Sequence, residues 1–312
     1  MKPEVLAIGP AFMLLPRVME EMQLYFTVHH RRDYPTRLDD ALRHRIRGLA
    51  TEANRGARRD LLALLPKLEI ISLFGVGLDL VDLAAARERN LAVTNTPGAV
   101  AREVADLAIG MMLASARQIV FADRFVREGR WKEGPLPLGR SLYGKTLGVI
   151  GLGAIGRAIA DRAVVFGMRV LYHGPRHKPE APYTYMQDLV AMATASDVLM
   201  VACKGGPDTR HLVSSAVIAA LGAEGTLINV ARGSVVDEAA LISALRTGTL
   251  GFAALDVFEN APNINEALLT LSNVIVQPHQ GSAARETREA MGLQVVDNLR
   301  AHFEGRKLPA PV

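Results

Sequence analysis

The sequence predicts an α/β fold built on two doubly wound parallel sheets. Three observations point to it. Short β-rich runs alternate with longer stretches of helical periodicity, the pattern of strands joined by helical crossovers. The alternation restarts as a second, more regular series after a loop rich in proline and glycine, Gly134-Pro135-Leu136-Pro137-Leu138-Gly139. Finally, 312 residues, 49% hydrophobic and 22% charged, exceed one domain of about 100–200 residues while keeping an ordinary soluble composition.

The first series places strands at residues 5–8, 25–29, 46–51, 69–74 and 91–95, with helical stretches at 61–65 and 81–89. Pro97-Gly98 punctuates its end, and apolar residues at helical spacing predict a long helix over 100–115. The second series places strands at 146–150, 169–172, 198–202, 226–230, 252–255 and 274–276. Six strands with helical crossovers fit a Rossmann/flavodoxin-like, doubly wound sheet. A closing helix is expected after Ser282, read as its N-cap, and runs to about Phe303. This helix is expected to return to the first domain. The second domain, 98–281, then interrupts the first, 1–97 and 282–312.

Composition removes several function classes. The single cysteine, Cys203, excludes an intrachain disulfide and a multi-cysteine zinc site, and no metal is expected. The formal charge is +4. Arginines are densest between His29 and Arg59, but Asp33, Asp39, Asp40, Glu52 and Asp60 interrupt them, so a solvated face is preferred to a nucleic-acid patch. Aromatics at 5% are too few for a stacking platform. Pro3, Glu4, Gly9, Pro10 and Pro16 break any signal-peptide core. Asp106, Arg117 and Gln118 interrupt the longest apolar run, 104–121. A cytoplasmic protein with no membrane or nucleic-acid partner is expected.

The run Leu147-Gly148-Val149-Ile150-Gly151-Leu152-Gly153-Ala154-Ile155-Gly156 reads as strand, glycine turn and helix. Glycines at this spacing are weak evidence alone. Here an apolar strand enters Gly151 and a helix, over 157–166, leaves Gly156. Gly151 permits the tight turn, Gly153 admits a pyrophosphate to the backbone, and Gly156 lets helix and strand pack closely. Leu152, Ala154 and Ile155 complete a loop whose N–H groups meet phosphates at a helix amino terminus. The next strand should end at an adenosine ribose, where an acidic residue selects NAD. This chain has His173-Gly174-Pro175-Arg176-His177-Lys178 instead. Gly174 leaves room for a 2′-phosphate and Arg176 could clamp it. NADP(H) is therefore preferred, with NAD(H) kept as the second candidate.

Ligands in such sheets bind beyond the carboxyl ends of strands. Arg232, Asp256 and His279 each follow a predicted strand end. At this point the sequence resembles the D-isomer-specific 2-hydroxyacid dehydrogenase family. The matching stretches are Phe74-Gly75-Val76-Gly77-Leu78-Asp79, the glycine loop, and Asn229-Val230-Ala231-Arg232-Gly233-Ser234-Val235-Val236-Asp237-Glu238. Leu255-Asp256-Val257-Phe258 and Pro278-His279-Gln280-Gly281-Ser282 complete the set. Gly205-Gly206-Pro207-Asp208-Thr209-Arg210-His211-Leu212, with the basic loop at Arg176, is most similar to the glyoxylate and hydroxypyruvate reductase branch.

The resemblance implies NADPH-dependent reduction of a small 2-oxo acid to the D-2-hydroxy acid. It implies that the N–H groups of Val76 and Gly77 hold the substrate carboxylate, that Arg232 binds that carboxylate and polarises the 2-oxo group, and that His279 supplies the proton. Asp256 would hold the nicotinamide carboxamide. Leu73, Phe74 and Gly75 join the substrate site, and Cys203, Thr209, Val230, Ala231 and Gly281 are expected to border the cofactor. Arginine suits an anionic 2-oxo acid, and imidazole titrates near neutrality. A symmetric homodimer is also implied, with 100–130 as interface. Trp131 resembles a position that reaches the partner's active site, set against a hydrophobic plug within its own subunit. The chain departs from the family's pattern at Lys204, where this branch commonly has proline.

A second departure is chemical. The family's acidic partner of the histidine lies in a pattern D-V-F-x-x-E-P, and here Asp256-Val257-Phe258-Glu259-Asn260-Ala261-Pro262 puts alanine in the glutamate's place. Three explanations compete: Glu259 reaches the histidine, or His279 works unassisted and more slowly, or the protein senses NADP(H) as the family's corepressor branch does. The weakened or adapted enzyme ranks first, because Arg232 and His279 both remain.

Overall fold

The computed structural model describes residues 2–9, 14–98 and 100–312. Pro10, one of the expected breakers of a signal-peptide core, lies outside them. The chain divides into two compact units, Met1–Val100 with Ser282–Val312, and Ala101–Gly281.

The first unit holds β1 (Glu4–Ile8), β2 (Thr27–Arg31), β3 (Ile46–Glu52), β4 (Ile70–Phe74) and β5 (Ala92–Thr94). They form a parallel sheet in the order β2-β1-β3-β4-β5, the flavodoxin-like doubly wound arrangement. Crossover helices cover both faces, so the central strands are largely buried: all five residues of β4 are buried, Ser72 among them. Leu49, Leu61, Leu62, Leu65 and Ile71 centre one face of this core.

The second unit holds β6 (Thr146–Ile150), β7 (Arg169–His173), β8 (Thr184–Tyr185), β9 (Val198–Val201), β10 (Thr226–Asn229), β11 (Phe252–Leu255) and β12 (Val274–Val276). Their order, β12-β11-β10-β9-β6-β7-β8, is all parallel and reverses at β6 and β9, a topological switch point. Register aligns the strand ends in one row: Ile150 pairs with both His173 and Val201, Asn229 with Val201 and Leu255, and Leu255 with Val276. The loops that follow β6, β7, β9, β10, β11 and β12 therefore leave one edge of the sheet.

Several expected boundaries move. The strand expected at 25–29 is β2, which starts at Thr27, because Pro16 opens a helix that runs to Tyr25 with Val18 and Met22 buried. Phe26 ends that helix in extended backbone. β8 escaped the six-strand reading because it contains two residues and pairs only with Leu171 and Tyr172. The helix after the glycine loop begins at Ala154, three residues before the expected start. Ser282 is not an N-cap: the last helix is Arg285–Phe303, preceded by Ala284 with no side-chain cap. The Ser282 carbonyl instead accepts from Arg288 Nε at 3.0 Å.

Ion pairs occupy much of the arginine-rich stretch. Arg47 pairs with Glu69, Arg55 with Asp33, and Arg59 with both Asp82 and Glu88. No single described helix is long and apolar enough to cross a membrane; only the pair Val100–Ala116 and Ile119–Arg127 is both, taken together, and the two meet at a 58° bend.

Candidate active-site residues

The glycine loop has the shape its spacing requires. Gly151 adopts φ +94°, a left-handed region open to glycine. A Cβ there would lie 2.5 Å from Cys203 Cα, so the turn rests directly on the loop after β9. Nothing lies within 4 Å of a Cβ built on Gly153, and one built on Gly156 would collide with the Gly151 carbonyl. An open Gly153 between two packed glycines leaves room for an anion at the amino terminus of helix Ala154–Val165. Burial pushes the Cys203 thiol up to about 11, the behaviour of a thiol packed beside the turn.

The end of β7 is tied to this turn, since Gly151 N donates to His173 O at 2.8 Å. His173 Nδ1 lies 3.0 Å from Met186 O. Gly174 has open space at its Cβ position, and Arg176 is exposed. Lys178 was not singled out by sequence reasoning. Its Nζ donates to Leu152 O at 2.6 Å, which brings an ammonium to the glycine loop across 26 residues. The signal was present in the basic run His173 to Lys178, but not the direction of the chain.

Arg232 follows β10 on a turn held from both sides. Buried Asn229 accepts Ala231 N–H at Oδ1 (3.0 Å) and donates from Nδ2 to Arg232 O (3.0 Å). Val230 and Ala231 are buried, and Arg232 Nη1 donates to Ala231 O at 2.7 Å. Asn229 opens the matching stretch quoted from the sequence, but its part in holding the Arg232 turn shows only in the structure. In the neighbouring loop, the Thr209 hydroxyl donates to Lys204 O at 2.8 Å, while Lys204 is exposed.

Asp256 is 1% exposed and its carboxylate is aimed at the next loop. Oδ1 accepts Gln280 N–H at 2.6 Å and Oδ2 accepts Gly281 N–H at 2.9 Å, while the Asp256 carbonyl accepts His279 N–H at 3.0 Å. These three bonds hold His279 at φ +56°, a conformation that a non-glycine residue keeps only when its surroundings impose it. Burial pushes the Asp256 carboxyl up to about 6, with the Gln280 and Gly281 bonds opposing the rise. The carboxyl group is thus both the clamp of the histidine loop and a titrating group near neutrality.

Glu259 is engaged elsewhere. Its Oε1 accepts from Arg210 Nη2 at 2.8 Å and lies 3.0 Å from His211 Nε2. Ala261 is exposed.

In the first unit, the loop after β4 presents backbone. Gly75 has φ +135°, and a Cβ on it would lie 2.6 Å from Ala53 Cβ. Gly75 N donates to Thr96 Oγ1 (2.9 Å), Thr96 N to Gly75 O (3.0 Å), and Asn95 Nδ2 to Val76 O (3.1 Å). The carbonyls of Gly75 and Val76 are therefore tied back, which orients this turn of chain. Leu73 and Phe74 are buried beneath it, and the Arg288 guanidinium lies 5.7 Å over the Phe74 ring. Among the described residues, no cluster of His, Cys, Asp and Glu could hold a metal ion.

Known proteins share this arrangement of elements. A family model described as D-isomer specific 2-hydroxyacid dehydrogenase, NAD binding domain, matches residues 109–281. The chain is 48% identical over 270 residues to a glyoxylate/hydroxypyruvate reductase A of Arabidopsis thaliana, covering 86% of each. It is 44% identical over 313 residues to a 2-ketogluconate reductase of Gluconobacter oxydans, covering 100% of this chain and 99% of the relative. Among solved structures, the NADPH-dependent glyoxylate/hydroxypyruvate reductase of Sinorhizobium meliloti in complex with NADP and malonate superposes with a TM-score of 0.94 at 43% identity. That match covers 100% of this chain and 97% of the other.

Proposed function

Because the chain belongs to the D-isomer specific 2-hydroxyacid dehydrogenase family, we propose that it reduces a small 2-oxo acid, of the glyoxylate or hydroxypyruvate type, to the D-2-hydroxy acid. The observation that carries this reading is the row of strand ends in the second unit. It sets the glycine cradle, Arg232 and the clamped His279 along one sheet edge. The relatives named as reductases of glyoxylate, hydroxypyruvate and 2-ketogluconate support the substrate class.

A nicotinamide dinucleotide, when bound, supplies the hydride. The chain's own residues do the rest. The N–H groups of the glycine loop take the pyrophosphate, with Gly151, Leu152, Gly153, Ala154, Ile155 and Gly156 forming the cradle. His173, Gly174 and Arg176 receive the adenosine ribose, and Lys178 adds a second cation there. Two cations and no carboxylate at this strand end favour a 2′-phosphate, hence NADPH over NADH. The NADP-bound relative from Sinorhizobium meliloti agrees. Cys203, Thr209, Val230, Ala231 and Gly281 border the cofactor, and Asp256 keeps its lone pairs for the carboxamide while gripping the histidine loop.

Arg232 binds the substrate carboxylate and polarises the 2-oxo group. His279 gives its proton to the oxygen that gains charge, and takes it back in the reverse direction. Leu73, Phe74, Gly75, Val76 and Gly77 form the substrate-binding residues of the first unit. Position 261 carries alanine, and Glu259 is bound to Arg210 and His211. The engagement of Glu259 also supports the second reading, an NADP(H) sensor with little turnover.

The two readings part in one assay. Glyoxylate, hydroxypyruvate and phenylpyruvate are offered with NADPH and with NADH. Turnover with NADPH is the expected result; micromolar NADPH binding with no turnover of any 2-oxo acid would establish the sensor instead. We further propose a homodimer. Helix Ile119–Arg127 buries none of its residues within this chain, and Trp131 is 69% exposed, so the tryptophan is not a plug in its own subunit. Exposed apolar surface of this kind marks an association face. Light scattering at assay concentration tests the dimer.

A further inference from the structure

Three loops leave the second sheet side by side, after β9, β10 and β11, and one carboxylate joins two of them. Glu259, on the third loop, takes Arg210 (2.8 Å) and His211 (3.0 Å) of the first through the same oxygen. Its own backbone N–H is held by the buried Glu238 carboxylate at 3.0 Å. The middle loop is enclosed between them. A Cβ on Gly233, the residue after Arg232, would collide with the Phe258 carbonyl and Glu259 nitrogen, so this turn lies flat on the Glu259 backbone. From the other side, His211 N donates to Ser234 O at 2.8 Å and Val213 N to Val235 O at 3.0 Å. His211 holds φ +49° to do so. A non-glycine residue in that region persists only where its contacts impose it.

We propose that Glu259 is a positioning residue for Arg232: by binding Arg210 and His211 it draws the loop after β9 onto the turn that presents the guanidinium. The proposal rests on the reading that Arg232 holds a 2-oxo acid. The arrangement gives Glu259 work that does not involve His279. A group placed by packed neighbours loses rate steeply when it shifts, and a displacement of about 1 Å can cost a hundredfold.

The test compares steady-state constants of the full chain and its variants with glyoxylate and NADPH. Glu259→Ala is expected to raise KM for glyoxylate by about tenfold or more, and to raise KM for NADPH several times less, as expected for a shifted Arg232. Glu259→Gln keeps an acceptor oxygen and should recover to within about threefold of the unaltered chain. The double variant Arg210→Ala with His211→Ala removes the same bonds from the other side. It should reproduce the KM shift, and adding Glu259→Ala to it should cause little further loss. If Glu259→Ala does not fold, this double variant decides. An unchanged glyoxylate KM, or an equal rise in both constants, overturns the proposal. If the unaltered chain turns over no 2-oxo acid, the reading itself fails. The positioning role is then decided by amide hydrogen exchange over 231–236, which must quicken in Glu259→Ala for the proposal to stand.

Discussion

At the edge of the five-stranded sheet, side chains hold a turn that presents backbone; at the edge of the seven-stranded sheet, side chains hold turns that present side chains. Thr96 and Asn95 tie down Gly75 and Val76, so what that loop offers is a directed run of peptide groups. In the second unit, Asn229 fixes the turn of Arg232, and the Asp256 carboxylate fixes the loop of His279. The difference follows from the chemistry proposed for each edge. A carboxylate can be bound by N–H groups that any residue carries, given the right turn. Polarising a carbonyl and delivering a proton need a guanidinium and an imidazole, and those need to be aimed.

This division is open to direct attack. The largest expected effect is at the aimed histidine. His279→Asn retains a residue tolerant of positive φ but no titrating ring, and kcat should fall by about a hundredfold to ten-thousandfold while NADPH binding, followed by fluorescence titration, persists. The first edge should respond differently. Gly75→Val places a Cβ 2.6 Å from Ala53 at φ +135°, and should raise KM for the 2-oxo acid about tenfold or more at a stability cost of about 1–3 kcal/mol. NADPH affinity should be unchanged, and an equal loss of both would end the comparison.

Asp256 gives a smaller, pH-dependent effect. Its carboxyl titrates at about 6 in the folded chain. Above that pH both oxygens accept from the His279 loop, and below it one oxygen carries a proton and the clamp loosens. The catalytic constant over KM should therefore decline as pH falls through about 6, and Asp256→Asn should flatten that limb. Stability runs the other way. Because the folded value lies above the ordinary one of 3.8, the folded chain binds this proton more tightly than the unfolded chain. That contribution is complete in acid and is lost as pH rises through the interval from 3.8 to about 6. The smallest effect is at Ala261→Glu, which should raise the reduction rate about several-fold and move the pH profile upward; an unchanged profile would show that His279 needs no carboxylate partner.

The candidate groups are legible in the sequence because their signals are local. The glycine spacing from Gly151 to Gly156 dictates a turn whose every requirement is met within six residues. Arg232, Asp256 and His279 could be seen as strand-end groups because the apolar runs before them are short and clean. Register then did what spacing could not, by making β10, β11 and β12 neighbours with their ends level. The faults lay where a local rule met a longer-range competitor. Ser282 looks like a helix cap, but its carbonyl is taken by Arg288 and the helix starts at Arg285. β8, two residues long, has no periodicity to detect.

By itself, the sequence determined the two α/β series, the glycine turn and the groups proposed to do chemistry, since these follow from periodicity, glycine conformation and residue type. Only the tertiary structure decided which carboxylate serves which partner. Glu259, two residues before the alanine that replaces the expected glutamate, goes to Arg210 and His211, 49 and 48 residues away along the chain. Lys178 turns back to Leu152, and Asp256 turns to the loop of His279. Such choices depend on which strands become neighbours and how their loops leave the sheet. Hydrogen bonds and ion pairs act over a few ångströms of space, whatever the separation in sequence.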